Sequence, residues 1–191
     1  MAASTLSEAV ITFQCGDEKD VTVPQRLLLA KNPETNELLP YCSSYLHDML
    51  GDDREQNEIV PLRKASSTTI QFLIKFIQLH ETTPLVYIDF PLARNGAHFH
   101  DHIGPDYMAI ANAILDYDKQ NDNHVELLAS IYIAEYLAIP AYFMFLKGLI
   151  FSLLIRKTAP EVLELMCNDA HLPVPGLEEE VEPAETAPAS A

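Results

Sequence analysis

Basic residues are scarce in this chain: 12 against 28 acidic ones in 191 residues, a formal net charge of −16. A field of that sign repels phosphate backbones, so nucleic acid is not an expected partner. Solubility is the first reading of the charge, and steering toward a basic partner the second. Glycine occurs only six times, and neither GxGxxG nor GxxxxGK is present, so no phosphate-cradling loop is written here. A G-x-S-x-G elbow is also missing. The three cysteines, Cys15, Cys42 and Cys167, are odd in number and far apart, which argues against a disulfide framework and a CxxC zinc pattern. Buried free thiols are expected instead. The longest apolar stretch, Tyr136 to Ile155, is interrupted by Pro140 and Lys147, whereas a membrane span needs about 20 largely uninterrupted apolar residues. Met1 to Glu8 is polar and carries no apolar signal core. These absences set the expectation of a cytoplasmic and/or nuclear protein without membrane contact.

What is present is periodic. Val10 to Cys15 alternates, with Ile11, Phe13 and Cys15 on one side, which predicts a strand with one face on a core. Gly16-Asp17-Glu18 predicts a turn, with Gly16 free to take positive φ and Asp17 bonding its own backbone. Val21 and Val23 predict the returning strand of a hairpin. Pro24 opens a short helix through Gln25–Lys31, broken at Asn32-Pro33. Leu38, Cys42, Tyr45, Leu46 and Met49 predict a helix over Leu38–Leu50, closed by Gly51. Ile59–Leu62 is a third strand. A helix over Thr68–His80, capped by Ser66 or Ser67, is apolar on two sides and so expected to be buried.

Leu85–Leu92 is expected to be extended. Pro105–Asp116 has helical spacing inside a stretch richer in Gly, Asp, Asn and His. Val125–Ala138 and a helix from Pro140 to about Lys157 follow, then a capping box at Thr158…Glu161 and a last helix ending near Asn168. An acidic Pro/Glu/Ala tail closes the sequence. The order predicts an α/β fold: residues 9–80 as its N-terminal part, 81–124 as an insertion or linker, 125–170 as completing helices, and 171–191 as a disordered tail.

Candidate chemistry is sparse. His98, His100 and His102 would share one face of an extended segment, a start for a zinc or nickel site, but nothing at a suitable spacing completes four ligands. No metal or other cofactor is therefore assigned, and no catalytic residue. Cys15 is a candidate reactive thiol beside the turn, whereas Cys42, placed on an apolar helix face, is expected to be inert. The other conspicuous feature is aromatic: Tyr132, Tyr136, Tyr142, Phe143, Phe145 and Phe151 fall close together. They predict either a helix buried in its own domain or one side covered by a partner.

Three stretches, in order, resemble the Skp-type (S-phase kinase-associated, F-box-binding) adaptors. They are Ile11-Thr-Phe-Gln-Cys-Gly-Asp17 with Val21 and Val23; Ile59-Val-Pro-Leu62 with the helix ending at His80; and Ala134-Glu-Tyr-Leu-Ala-Ile139 followed, after a long helix, by Lys157-Thr-Ala-Pro-Glu161. The family pattern for the last is A-x-Y-L-x-I, then K-T-P-E. The resemblance implies a BTB/POZ-type core with a C-terminal helical extension and a role as the adaptor of a cullin-type (SCF-like) ubiquitin ligase. By matched position, it implies a cullin-facing surface at Leu46, Met49, Glu135 and Tyr136. It likewise implies an F-box-facing surface at Ile139, Phe145, Leu149, Leu153, Pro160, Val162 and Met166.

The chain also departs from the family. Glu135 replaces an Asn, one residue is inserted in K-T-P-E, and the final helix with its W-C motif has no match, since Trp is absent. Elongin C shares the core, and Ile88-Asp-Phe-Pro91 is similar to its sequence, but this chain continues through further helices. A BTB-type scaffold that self-associates as a homodimer, or takes a non-F-box partner, is the alternative function.

Overall fold

The computed structural model describes residues 9–51, 57–85, 99, 103–121, 125–155 and 157–161. The alternating segment forms β1 (Val10–Cys15), the central strand of a mixed sheet that has three strands among the described residues. β2 (Asp20–Pro24) pairs with it antiparallel, placing Ile11 opposite Val23. β3 (Glu58–Leu62) pairs with its other edge in parallel, placing Phe13 opposite Val60. Ile11, Phe13, Val23, Val60 and Leu62 are all buried, so one sheet face supplies the core, as period two demands. Pro61 lacks a ladder donor, and β3, an edge strand among the described residues, tolerates it.

The hairpin turn works differently from its sequence reading. Positive φ falls on Glu18 (59°) rather than on Gly16. Gly16 is required for close approach instead: a Cβ there would lie 2.2 Å from the Arg63 carbonyl oxygen, and its N–H donates to Ala65 O at 2.8 Å. Asp17 does not bond its own backbone either. Its carboxylate accepts from the Ser67 N–H (3.1 Å) and hydroxyl (2.7 Å), tying the turn to the start of α3 (Ser67–Thr82). These bonds hold the Asp17 carboxyl below its usual pKa.

The helix after Pro24, α1, is shorter than expected, Gln25–Leu28. The helix predicted over Leu38–Leu50 is confined to α2, Ser44–Leu50. Leu38 pairs with Lys31 in an isolated bridge, and the Cys42 N–H donates to Leu39 O in a turn. The Ser43 hydroxyl accepts from the Leu46 N–H at 3.1 Å and starts the helix there. A cap thus overrides an apolar spacing that a loop also satisfies. Gly51, at φ 58°, closes α2 as predicted.

α3 begins at a capping box between Ser66 and Thr69 and is buried on two sides, through Ile70, Leu73 and Ile77 and through Phe72 and Phe76. It packs on α4 (Pro105–Gln120), α5 (Val125–Tyr136) and α6 (Pro140–Leu154). Phe76 is the hub, with ring centroids of Tyr142, Phe145, His80 and Tyr107 at 4.8, 5.2, 5.4 and 5.6 Å.

The stretch taken from sequence as an insertion contributes directly to this core. Tyr107, Ile110, Ala111 and Ile114 of α4 are buried against α3 and α5. The architecture is mixed α/β, as expected. No helix among the described residues is long and apolar enough to cross a membrane. Of Leu85–Leu92, only Leu85 lies within the described residues. Of the capping box expected at Thr158, the glutamate half is present: Glu161 Oε2 accepts from the Thr158 N–H (2.6 Å), and the Thr158 hydroxyl donates to the same oxygen (2.7 Å). The helix expected beyond it lies outside the described residues.

Candidate functional site

α5 buries Leu127, Ile133 and Ala134 together with the polar Glu126 and Ser130, and bears tyrosines outward. In its last turn and the turn beyond, Ala134, Leu137 and Ile139 are buried, whereas Glu135 and Tyr136 are exposed. Ala138 takes a φ of 49° and redirects the chain into α6. This corner is fastened to α2. The Ser43 hydroxyl that caps α2 also donates to Leu137 O, the Ser44 N–H donates to Ala138 O at 3.4 Å, and the Ala141 N–H donates to Pro40 O at 3.1 Å.

That junction sets Tyr45 against Tyr136. Their ring centroids are 5.1 Å apart and their hydroxyls 3.3 Å apart, and this hydrogen bond raises the Tyr136 pKa. Tyr132, one turn back on α5, stacks on Tyr136 at 6.0 Å, and Lys64 Nζ lies 5.5 Å over the Tyr132 ring. Met49 continues the α2 face one turn from Tyr45. Each of the three tyrosines is a little over one-third exposed, and Met49 is 45% exposed. The result is a surface with apolar bodies and polar tips, the composition favoured at interface cores. Leu46, expected on this surface, is buried and supports it from behind. Tyr45, Tyr132 and Lys64 were not assigned to it from sequence. The i, i+4 spacing of Tyr132 and Tyr136 in an otherwise aliphatic helix was the available signal.

The residues expected from the resemblance to face an F-box separate into two groups. Ile139 and Phe145 are completely buried within this chain. α6 must bury Tyr142, Phe145 and Leu146 against α3 and α5, so those side chains belong to this chain's own core. Leu149, at 2% exposure, is also core, but it lines a cavity of about 190 Å³ between α4 and α6, with Phe99, Met108, Leu115 and Ile155. That volume is below the roughly 300 Å³ at which small-molecule pockets begin, and the lining is mixed, since Asn112 and Ser152 also contribute to it. Leu153 is half-buried and Pro160 exposed; Val162 and Met166 lie outside the described residues. Toward solvent, α6 presents half-buried Phe143, Met144, Ile150 and Leu153 and exposed Phe151 and Lys147.

Little chemistry is assembled elsewhere among the described residues. Cys42 precedes α2 rather than lying on it, and burial pushes its thiol up to about 11. Cys15, a candidate reactive thiol from sequence, is likewise buried and pushed up to about 11, with Asp17 and Asp20 adding to the shift. No group of three or more His, Cys, Asp or Glu gathers there to hold a metal. Phe99 is buried against Phe145 at 5.9 Å, and His98, His100, Asp101 and His102 lie outside the described residues. His80 is a structural clasp. Its Nδ1 lies 2.9 Å from the Tyr107 hydroxyl and accepts the Leu85 N–H at 3.4 Å, while Tyr107 donates to Thr83 O at 2.8 Å. Burial lowers the His80 pKa and pushes the Tyr107 phenol up to about 12.

No family model and no curated protein matches this chain.

Proposed function

We propose that this chain is a non-catalytic adaptor with a BTB/POZ-type core, and that it joins a cullin-type ubiquitin-ligase scaffold to an F-box-like receptor. The observation that carries the reading is the tyrosine face. Glu135 and Tyr136, matched to the cullin-facing pair of Skp-type adaptors, lie exposed beside Tyr45 and Met49 of α2. The outward side of α6, with Phe151, Leu153 and the small cavity beside Leu149, is the surface offered to the receptor. The mechanism is positional: a rigid body holds two partners at a set separation, so that proximity accelerates a transfer performed by others.

A pull-down of the full chain with a cullin N-terminal fragment tests the first surface. Capture that Tyr136→Ala weakens supports the reading, and capture insensitive to Tyr136 and Tyr45 counts against it. A second reading has its own observation. Because Ile139 and Phe145 are core residues, the inherited F-box surface is reduced, which favours a BTB-type scaffold or an elongin-C-like protein with a non-F-box partner or self-association. Light scattering separates the two: a defined homo-oligomer without F-box affinity selects the second.

A further inference from the structure

α6 is apolar nearly all round, and the described residues enclose only one side of it. Inward, Tyr142, Phe145, Leu146 and Leu149 are buried. Outward, Phe143, Met144, Ile150 and Leu153 are half-buried and Phe151 is 43% exposed. The small cavity beside Leu149 lies toward the same end of the helix, since Ser152 and Ile155 also line it. A helix of this composition is normally covered on both sides.

The path of the chain beyond α6 supplies a cover. Ile155 has an extended ψ of 128°, and the Lys157 N–H closes a turn on Leu154 O at 3.1 Å. A new helical turn has begun by Ala159, with Glu161 Oε2 accepting from the Thr158 N–H at 2.6 Å. Only residues 155–158 separate the two helical segments. A connection of about two to five residues makes helices antiparallel neighbours. The next residues, Val162-Leu-Glu-Leu-Met166, lie outside the described ones. Val162, Leu165 and Met166 have the i, i+3, i+4 spacing of one helix face, with Glu164 opposite. Because the rise per residue is the same in two antiparallel helices, a segment running back from Ala159 brings Val162 level with Phe151 and Leu165 level with Gly148.

We propose that Val162, Leu165 and Met166 dock on the outward side of α6, over Ile150 and Phe151, so that the chain covers this face with its own next segment. A second copy is the weaker occupant, because two chains of net charge −16 repel each other. The chain's own segment, tethered by a few residues, is present at a far higher effective concentration. The docking rests on the path of the chain and the exposure of α6, and it stands whether or not the adaptor reading does. On that reading the covered face is the one offered to the receptor, and a receptor has to displace the segment to reach it.

Cys167 follows Met166 and gives a probe in the full chain, because Cys15 and Cys42 are buried. With a nitroxide on Cys167, the amide resonances of Met144 and Lys147 should broaden at least as strongly as that of Leu154. Broadening that fades steadily from Leu154 toward Met144 is the pattern of a loose tether and overturns the docking. Mixing nitroxide-bearing chains with isotope-labelled chains that lack the nitroxide tests the second copy: α6 broadening in that mixture overturns an intrachain cover. Leu165→Asp in the full chain gives a second measurement. Hydrogen exchange of the amides of residues 150–154 should speed up about tenfold, with β1 unchanged. Unchanged exchange in α6, or faster exchange that spreads equally to β1, overturns the proposal. No partner is present in either measurement, so a failed docking and a failed pull-down are separate results.

Discussion

Tyr136 and Phe145 stand on successive helices, and both fall on the stretch that resembles an adaptor's two contact surfaces, yet the fold treats them oppositely. Tyr136 lies on the outer side of α5, more than one-third exposed, with its hydroxyl at that of Tyr45. Phe145 lies among Phe76, Tyr107, Tyr142 and Phe99 with no exposed surface. A matched position in a motif therefore has two meanings. On α5 it marks a surface that the rest of the molecule leaves open, and on α6 it marks a core that the rest of the molecule requires. The apolar residues of α6 that face outward, Phe151 and Leu153, are the better place to look for a second partner.

The sharpest way to break this contrast is Phe145→Asp. An uncompensated charge inside the aromatic cluster should cost at least about 4 kcal/mol and abolish the cooperative thermal transition. A variant that melts normally but loses a partner would return Phe145 to the interface. Ser43→Ala should come next, at about 1–2 kcal/mol in denaturant unfolding, because one hydroxyl both caps α2 and holds the corner after α5. The same change should loosen the Tyr45–Tyr136 contact and weaken scaffold capture, an effect that a simple cap would not have.

Tyr136→Ala and Tyr45→Ala should leave the melting curve within about 0.5–1 kcal/mol of the parent while lowering scaffold affinity about tenfold. A large stability loss in either variant would mean that the tyrosine face is structural. Leu153→Asp should likewise fold, and should reduce F-box co-purification; unchanged co-purification would remove the outer side of α6 from the reading.

The smallest effect expected is that of pH on the core. The His80 pKa is lowered in the fold by burial, so the neutral form is favoured there. Its contribution to stability is present above the ordinary histidine value of about 6.5 and is lost as pH falls through the folded value. Glu126 runs the other way: its raised pKa gives a contribution present below the ordinary glutamate value and lost as pH rises through the folded one. The two contributions oppose each other between about pH 8 and 5, so the test is a difference: in denaturant midpoints, His80→Phe should lose less stability toward the acid end than the parent does. An unchanged slope in the variant would place the sensitivity elsewhere.

Much of the fold was legible where local rules act alone. Period two located β1, the apolar stripes located α3, and Pro140 started α6 where a missing N–H costs nothing. Reading failed where a distant contact decided. Leu38 and Cys42 matched a helix face and became a loop, because Ser43 starts α2 while reaching across to Leu137. Gly16 was read as a φ > 0 residue and proved to be a close-approach residue, since only the third strand brings Arg63 against it. The helix within residues 81–124 was assigned to an insertion because nothing in its own pattern says that Tyr107 meets His80 and Phe76.

For the candidate site the division is similar. Helical spacing places Ala134 and Leu137 on one inward face of α5, because periodicity is a property of neighbours, whereas Glu135 and Tyr136 were singled out only by the resemblance to Skp-type adaptors. The tertiary structure adds that Tyr45 joins Tyr136 and that Ile139 and Phe145 are enclosed. Those outcomes depend on which surfaces of α2, α3, α4 and α6 meet, and burial is a relation between segments that no single segment encodes.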